Sequence, residues 1–165
     1  MIELTFKDFY ESRYEETGYY DLYIMENGHG EVLYIGISSL KIWDRWFGWN
    51  GHIYLDNLIL IGKSSVGEKI VNNLPDSWQW KIQLWTLEDC VKFCKDEISP
   101  TRANYDIKYI EPFMIMKLRP ALNIIYNQNP GKDSTPKSKK EREIEALLDK
   151  AYYDVFEKNS KWNNK

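Results

Sequence analysis

The feature that most constrains this chain is a pair of runs, residues 19–25 (YYDLYIM) and 31–37 (EVLYIGI), set on either side of Asn27-Gly28-His29-Gly30. Both are rich in β-branched and aromatic residues, which suit a pleated, half-buried surface. An Asn-Gly pair between two such runs predicts an antiparallel β-hairpin. Side chains alternate along a strand, so Tyr34 and Gly36 share one face of it. A glycine there leaves that face open at the strand end, where a phosphate can approach the backbone.

The rest of the chain is arranged around this hairpin. Residues 1–16 form a short helix or an edge segment that packs through Phe6, Phe9 and Tyr10. After the hairpin, SSLKIWDRWFGW predicts a helix capped by Ser38 or Ser39, with Ile42, Trp43, Trp46 and Phe47 at helical spacing and Gly48 and Gly51 ending it. Residues 53–61 are apolar, and periodicity does not decide between strand and buried loop. Residues 78–85 (WQWKIQLW) alternate as a strand does. Thr86 caps a following helix, with Asp89 at the capping-box position. A second helix covers about 103–118, and Pro112 within it predicts a kink or a later start, because the ring clashes with the preceding turn. Residues 127–138 read as a linker. Beyond it Ile144, Leu147, Leu148, Ala151, Tyr152, Val155 and Phe156 recur on one helical face, behind a Ser138 cap with Glu141 three residues on. The expected architecture is an α/β domain with a small, mostly antiparallel three-stranded sheet flanked by helices, followed by a C-terminal amphipathic helix.

Composition narrows the function classes. Charged residues are 28% of the 165, which fits a globular domain and not a disordered chain. Aromatic residues are 15%, with seven Trp and twelve Tyr, more than a core of this size needs. Each of these two types carries a polar atom that seeks a partner, and stacking on bases is one use for them. The net charge of −3 weighs mildly against a nucleic-acid partner, although a local positive face is enough to bind one. Cys90 and Cys94 are four apart on a helix, without disulfide geometry, and with His29 and His52 they lack the spacing of a structural zinc site. No signal peptide and no membrane span is expected, so the default location is the cytoplasm.

The residues that carry chemistry are dispersed. Tyr34-Ile35-Gly36 lies on the second hairpin strand, and Tyr23 lies eleven positions earlier on its partner. Ser38, Lys41 and Arg45 follow, and Glu111 comes much later, trailed by Pro120 and Asn123. A carboxylate such as Glu111 can hold one Mg²⁺, which keeps most of its waters and takes a phosphate oxygen as ligand. Arg45 offers a planar fork of donors suited to charge developing on a phosphate. A phenol beside a cation loses its proton more easily and so can act as a base. Taken singly, each residue has a plainer reading. Tyr23 and Tyr34 could be cross-strand aromatics, Arg45 could stack on Trp46 or Trp49, Glu111 could pair with Lys108 or Arg119, and Asn123 could be a turn residue.

The ordered set of hairpin, YIG followed by Ser38, helical arginine and Glu-x8-Pro-x2-Asn resembles the GIY-YIG nucleases, over residues 19–53 and 107–125. The resemblance implies a nuclease domain at 1–126 with an insertion at about 54–104, and a linker and helix at 127–165. It implies a Mg²⁺- or Mn²⁺-dependent endonuclease acting on DNA, with Tyr23 as general base, Tyr34 orienting water or phosphate, Arg45 on the phosphate, Glu111 on the metal and Asn123 in support. Gly36, Ser38 and Lys41 would contact the substrate. The pattern departs in two places: Asp21-Leu22-Tyr23 stands where the family has Gly-Ile-Tyr, and Trp49 stands where many relatives have a histidine. His52 falls seven residues after Arg45, and Gly48 and Gly51 break the helix that would carry it to the same face. Lys132, Lys137, Lys139, Lys140 and Arg142, with Lys41, Arg45 and Lys63, suggest a stripe for phosphates. Cutting both strands of a duplex needs two copies or two events, and a homodimer is one way to meet that need. The alternative function is a catalytically impaired module of the same fold that binds nucleic acid or protein without cleavage.

Overall fold

The computed structural model describes residues 1–12, 19–100, 104–137 and 139–162. Ser138, expected as a helix cap, lies outside them, as do residues 13–16 and 103 of the expected N-terminal segment and second helix. Two compact units are resolved, residues 1–135 and 136–165, and each is described by itself.

The sheet of the first unit has four strands, one more than the sequence suggested. β1 (Ile2–Thr5), β2 (Leu22–Glu26), β3 (Val32–Ile37) and β6 (Lys81–Trp85) lie in the order β1-β6-β2-β3, and every pair is antiparallel. β1 escaped sequence reading because it has four residues and continues directly into helix α1 (Phe6–Ser12), so no turn signal separates them. Between β3 and β6 come α2 (Ile42–Phe47), the hairpin β4 (Ile53–Asp56) and β5 (Ile59–Gly62), and α3 (Ser65–Asn72). α4 (Leu87–Phe93) and α5 (Ile107–Leu118) follow β6.

Alternation along β2 divides the core. Tyr23 and Met25 face one side, with Phe6, Phe9, Ile42, Trp46, Ile70 and Leu84. Leu22 and Ile24 face the other, with Cys90, Ile110 and Met114 of α4 and α5. A β-bulge at Leu33 shifts the β2–β3 register: Tyr34 stands opposite Met25, while Val32 stands opposite Glu26. The bulge lets Leu33 and Tyr34 both pack on the Tyr23 side. The connection is not a two-residue turn on Asn27-Gly28. Asn27 caps a longer loop, its Oδ1 accepting from the backbone N–H of His29 and Glu31, and the positive φ falls on Gly30 at 72°.

Residues 53–61 form a hairpin and not a buried loop, anchored in the core by Ile53 and exposed toward its turn. Its turn residues Asn57 and Leu58 have φ of 46° and 69°, as a tight two-residue connection requires. Thr86 caps α4 as expected, with the reciprocal Asp89 bond of a capping box. Neither Ser38 nor Ser39 caps α2; its N-cap is Lys41, without a side-chain bond. α5 starts behind an Asp106 cap and runs through Pro112. In the second unit, α6 (Lys139–Trp162) exposes Ile144, Leu147, Leu148 and Tyr152. Among the described residues, no helix is long and apolar enough to cross a membrane.

Candidate active site

Pairing of β2 with β3 sets Tyr23 opposite Gly36. The Tyr23 ring lies across this glycine so closely that a Cβ on residue 36 would sit 2.4 Å from the phenol oxygen and 2.5 Å from Cζ. The open face expected at Gly36 is therefore filled by Tyr23 itself. Tyr34, on the same face, stacks beside it with ring centroids 6.2 Å apart.

α2 supplies the opposite wall. Trp46 packs edge-on against Tyr23 at 5.5 Å and, tilted, against His52 at 4.8 Å. His52 enters the site by a route helix spacing does not foresee. α2 stops at Phe47, a tight turn closes with Gly51 N–H donating to the Gly48 carbonyl, and His52 N–H then donates to the Arg45 carbonyl. That turn folds the chain back on α2, so the glycines that end the helix also return the imidazole to the arginine. His52 is 3% exposed, with Nε2 2.6 Å from the Tyr23 hydroxyl and Nδ1 2.7 Å from Ser64 Oγ.

Electrostatics bind the group together. Burial drives the Tyr23 phenol far above its usual range, and the neighbouring Tyr34 adds to this. Arg45 pulls it back by charge and by a hydrogen bond, and Glu111 pushes it further up. Tyr34 is raised by burial, with Arg45 opposing and Glu111 reinforcing. His52 is pushed down to about 4, first by burial and then by Arg45, so it is neutral at neutral pH. Both phenols thus keep their protons at rest, and His52 is an unprotonated base.

Glu111 projects from α5 into an open cleft of about 420 Å³, lined also by Tyr34, Leu122, Asn123, Ile124 and Tyr126. Burial raises its carboxyl above the ordinary carboxylate range. Among the described residues it makes no hydrogen bond or ion pair, with neither Lys108 nor Arg119 serving as partner. An unpartnered, half-buried carboxylate suits a cation, which would relieve the cost of its charge. No group of three His, Cys, Asp or Glu side chains that could cage a metal occurs among the described residues. A single carboxylate of this kind could supply one ligand to an ion that draws its others from water and phosphate.

Asn123 borders the cleft but has its amide committed. Oδ1 accepts from Ile35 N–H and Nδ2 donates to the Ile35 carbonyl, both at 2.9 Å. Ala121 and Leu122 N–H groups pair with the Val32 and Leu33 carbonyls, so residues 121–123 close the free edge of β3. Asn123 thereby fixes the cleft wall to the strand that carries Tyr34. Ser38 lies past the end of β3, its Oγ accepting from Leu40 N–H. Lys41 is exposed at the start of α2, one turn before Arg45. Tyr23, Tyr34, Arg45 and His52 thus converge and Glu111 acts on both phenols from the cleft, whereas Ser38 and Lys41 are not among the residues that line the cleft or act on the phenols.

Sequence reading missed Ser64 and the walling role of Trp46. The one local signal at Ser64 is its place as a helix N-cap, accepting from Gly67 N–H at 3.2 Å. Comparison with protein-family models, with curated proteins and with solved structures found no match to this chain.

Proposed function

We propose that this chain is a metal-dependent endonuclease of the GIY-YIG type, hydrolysing DNA phosphodiester bonds at a single site. The observation that carries the reading is the convergence of residues from two strands, a helix and the turn after it, Tyr23, Tyr34, Arg45 and His52, next to a cleft that holds an unpartnered carboxylate. Ordinary core aromatics do not require an arginine and a neutral histidine among them.

In this reading the scissile phosphate lies in the cleft. Arg45 meets the charge that grows on its oxygens, and Tyr34, the phenol lining the cleft, orients the attacking water. A Mg²⁺ or Mn²⁺ ion held by Glu111 would polarise the phosphate. Water forms a bond to phosphorus as the bond to the leaving oxygen breaks. Its proton passes to Tyr23 Oη while the Tyr23 proton passes to His52 Nε2, so no free phenolate is needed. This relay reconciles a phenol that resists ionisation with a base role, because the final acceptor is the neutral imidazole. Tyr23 has no exposed surface, so in this reading the water reaches its hydroxyl only when the side chains around it give way.

That same enclosure favours a second reading, a module of this fold that binds nucleic acid or protein and does not cut. Incubation of supercoiled plasmid with Mg²⁺ or Mn²⁺ separates the two. The nuclease reading expects nicking by wild type and none by Glu111→Gln or Arg45→Ala. No nicking by wild type with either metal, on duplex or single-stranded DNA, would favour the binding module.

A further inference from the structure

Neutral imidazole has one N–H, and which nitrogen carries it decides whether His52 can receive a proton from Tyr23. Geometry around the ring resolves the choice. Tyr23 Oη is buried between Arg45, which can only donate, and His52 Nε2. If Nε2 carried the hydrogen, the buried phenol O–H would be left without an acceptor, which is costly. If Nδ1 carries it, both the phenol hydrogen and the imidazole hydrogen are used: Tyr23 O–H donates to Nε2, and Nδ1–H donates to Ser64 Oγ. Ser64 has a second lone pair for Gly67 N–H, and its own hydrogen can reach solvent, since the residue is half-buried.

We propose that Ser64 is a positioning residue that holds His52 in the Nδ1–H tautomer, leaving Nε2 to accept from Tyr23. The fold is built to deliver it. Lys63 N–H donates to the His52 carbonyl at 2.8 Å, and the first turn of α3 presses on the same carbonyl so tightly that a Cβ at Gly67 would lie 1.9 Å from its oxygen. Only glycine permits that approach, and the approach brings the α3 N-cap hydroxyl to Nδ1. Groups facing His52 come from every neighbouring element: Tyr23 from β2, Tyr34 from β3, Arg45 and Trp46 from α2, and Ser64 ahead of α3. Ser64 is the one among them bonded to Nδ1. When the Tyr23 proton arrives at Nε2, both imidazolium N–H groups are already hydrogen-bonded, to Tyr23 and to Ser64.

The catalytic meaning of this assignment rests on the nuclease reading, but the tautomer does not, so the two can fail separately. The chain has two histidines, so long-range ¹H–¹⁵N spectra of the full-length protein hold two imidazole patterns. Wild type is expected to show Nδ1 protonated and Nε2 bare at His52 at neutral pH. Ser64→Gly removes the hydroxyl yet remains an acceptable N-cap, so the fold survives. This variant is expected to shift His52 toward the Nε2–H form, and Ser64→Thr to keep the wild-type pattern. In a nicking assay, Ser64→Gly should lower kcat about tenfold with KM unchanged, the worth of one hydrogen bond acting at the transition state. An Nε2–H pattern in wild type, or a His52 pattern unmoved in Ser64→Gly, overturns the proposal whether or not the chain cuts DNA.

Discussion

Gly36→Ala tests the geometry of the site most directly, because it asks whether Tyr23 really lies across the strand. The added Cβ would meet two atoms of a phenol ring at 2.4 and 2.5 Å, a separation that non-bonded carbon and oxygen do not tolerate. The ring has nowhere to retreat, since Tyr34, Trp46 and His52 pack around it. Over-packing of this kind costs about 2 kcal/mol. A tilt of the ring also breaks the hydrogen bond to His52, adding about 1 kcal/mol. Against this, Ala gains up to about 1 kcal/mol over Gly inside a strand. The net expectation is a loss of about 2 kcal/mol, or roughly 6 °C in Tm for a chain of this size. Thermal unfolding followed by circular dichroism measures it, with Tyr23→Ala and the double variant completing a cycle. In the Tyr23→Ala background the alanine at 36 should be neutral or stabilising. A Gly36→Ala protein as stable as wild type, or one equally destabilised without the Tyr23 ring, would refute the argument.

Two further consequences can be checked. His52 takes up a proton near pH 4 in the fold and near 6.5 when unfolded, so between those values the unfolded chain binds a proton that the folded chain refuses. Stability should therefore fall as pH drops from 6.5 to 4, by up to about 3 kcal/mol, and denaturant titrations of His52→Gln should show a shallower slope in that window; equal slopes would remove the basis for a buried neutral imidazole. Asn123→Ala deletes both bonds to the Ile35 backbone. It should cost about 2 kcal/mol and speed exchange of the Ile35 amide at least about tenfold, whereas unchanged exchange would show that the loop does not close the β3 edge.

Much of the fold was legible because it is encoded locally. The alternating runs around Asn27, the strand expected at 78–85 (its first residues, 78–79, instead end a short 3-10 helix and the strand begins at Lys81) and the Thr86 capping box each depend on neighbours within a few positions, and propensity and patterning act at that range. β1 was not legible, because a four-residue strand is specified mainly by the β6 edge it pairs with. The site divides the same way. That Tyr34 and Gly36 share a face follows from strand alternation alone. That the Tyr23 ring fills the space above Gly36 depends on the inter-strand register, which places the two residues opposite each other. The glycines at 48 and 51 argued against His52, because they break the helix that would have carried it to the face of Arg45; the tight turn they form brought the imidazole back to Arg45 instead. Ser64 and Asn123 gave only local signals of a cap and a turn. Their bonds to His52 and Ile35 span 12 and 88 residues, and such contacts form only once packing has paid the entropy of closing those loops. The sequence alone specified the central hairpin strands, the Thr86 cap and a set of candidate side chains; tertiary packing decided which of those side chains meet.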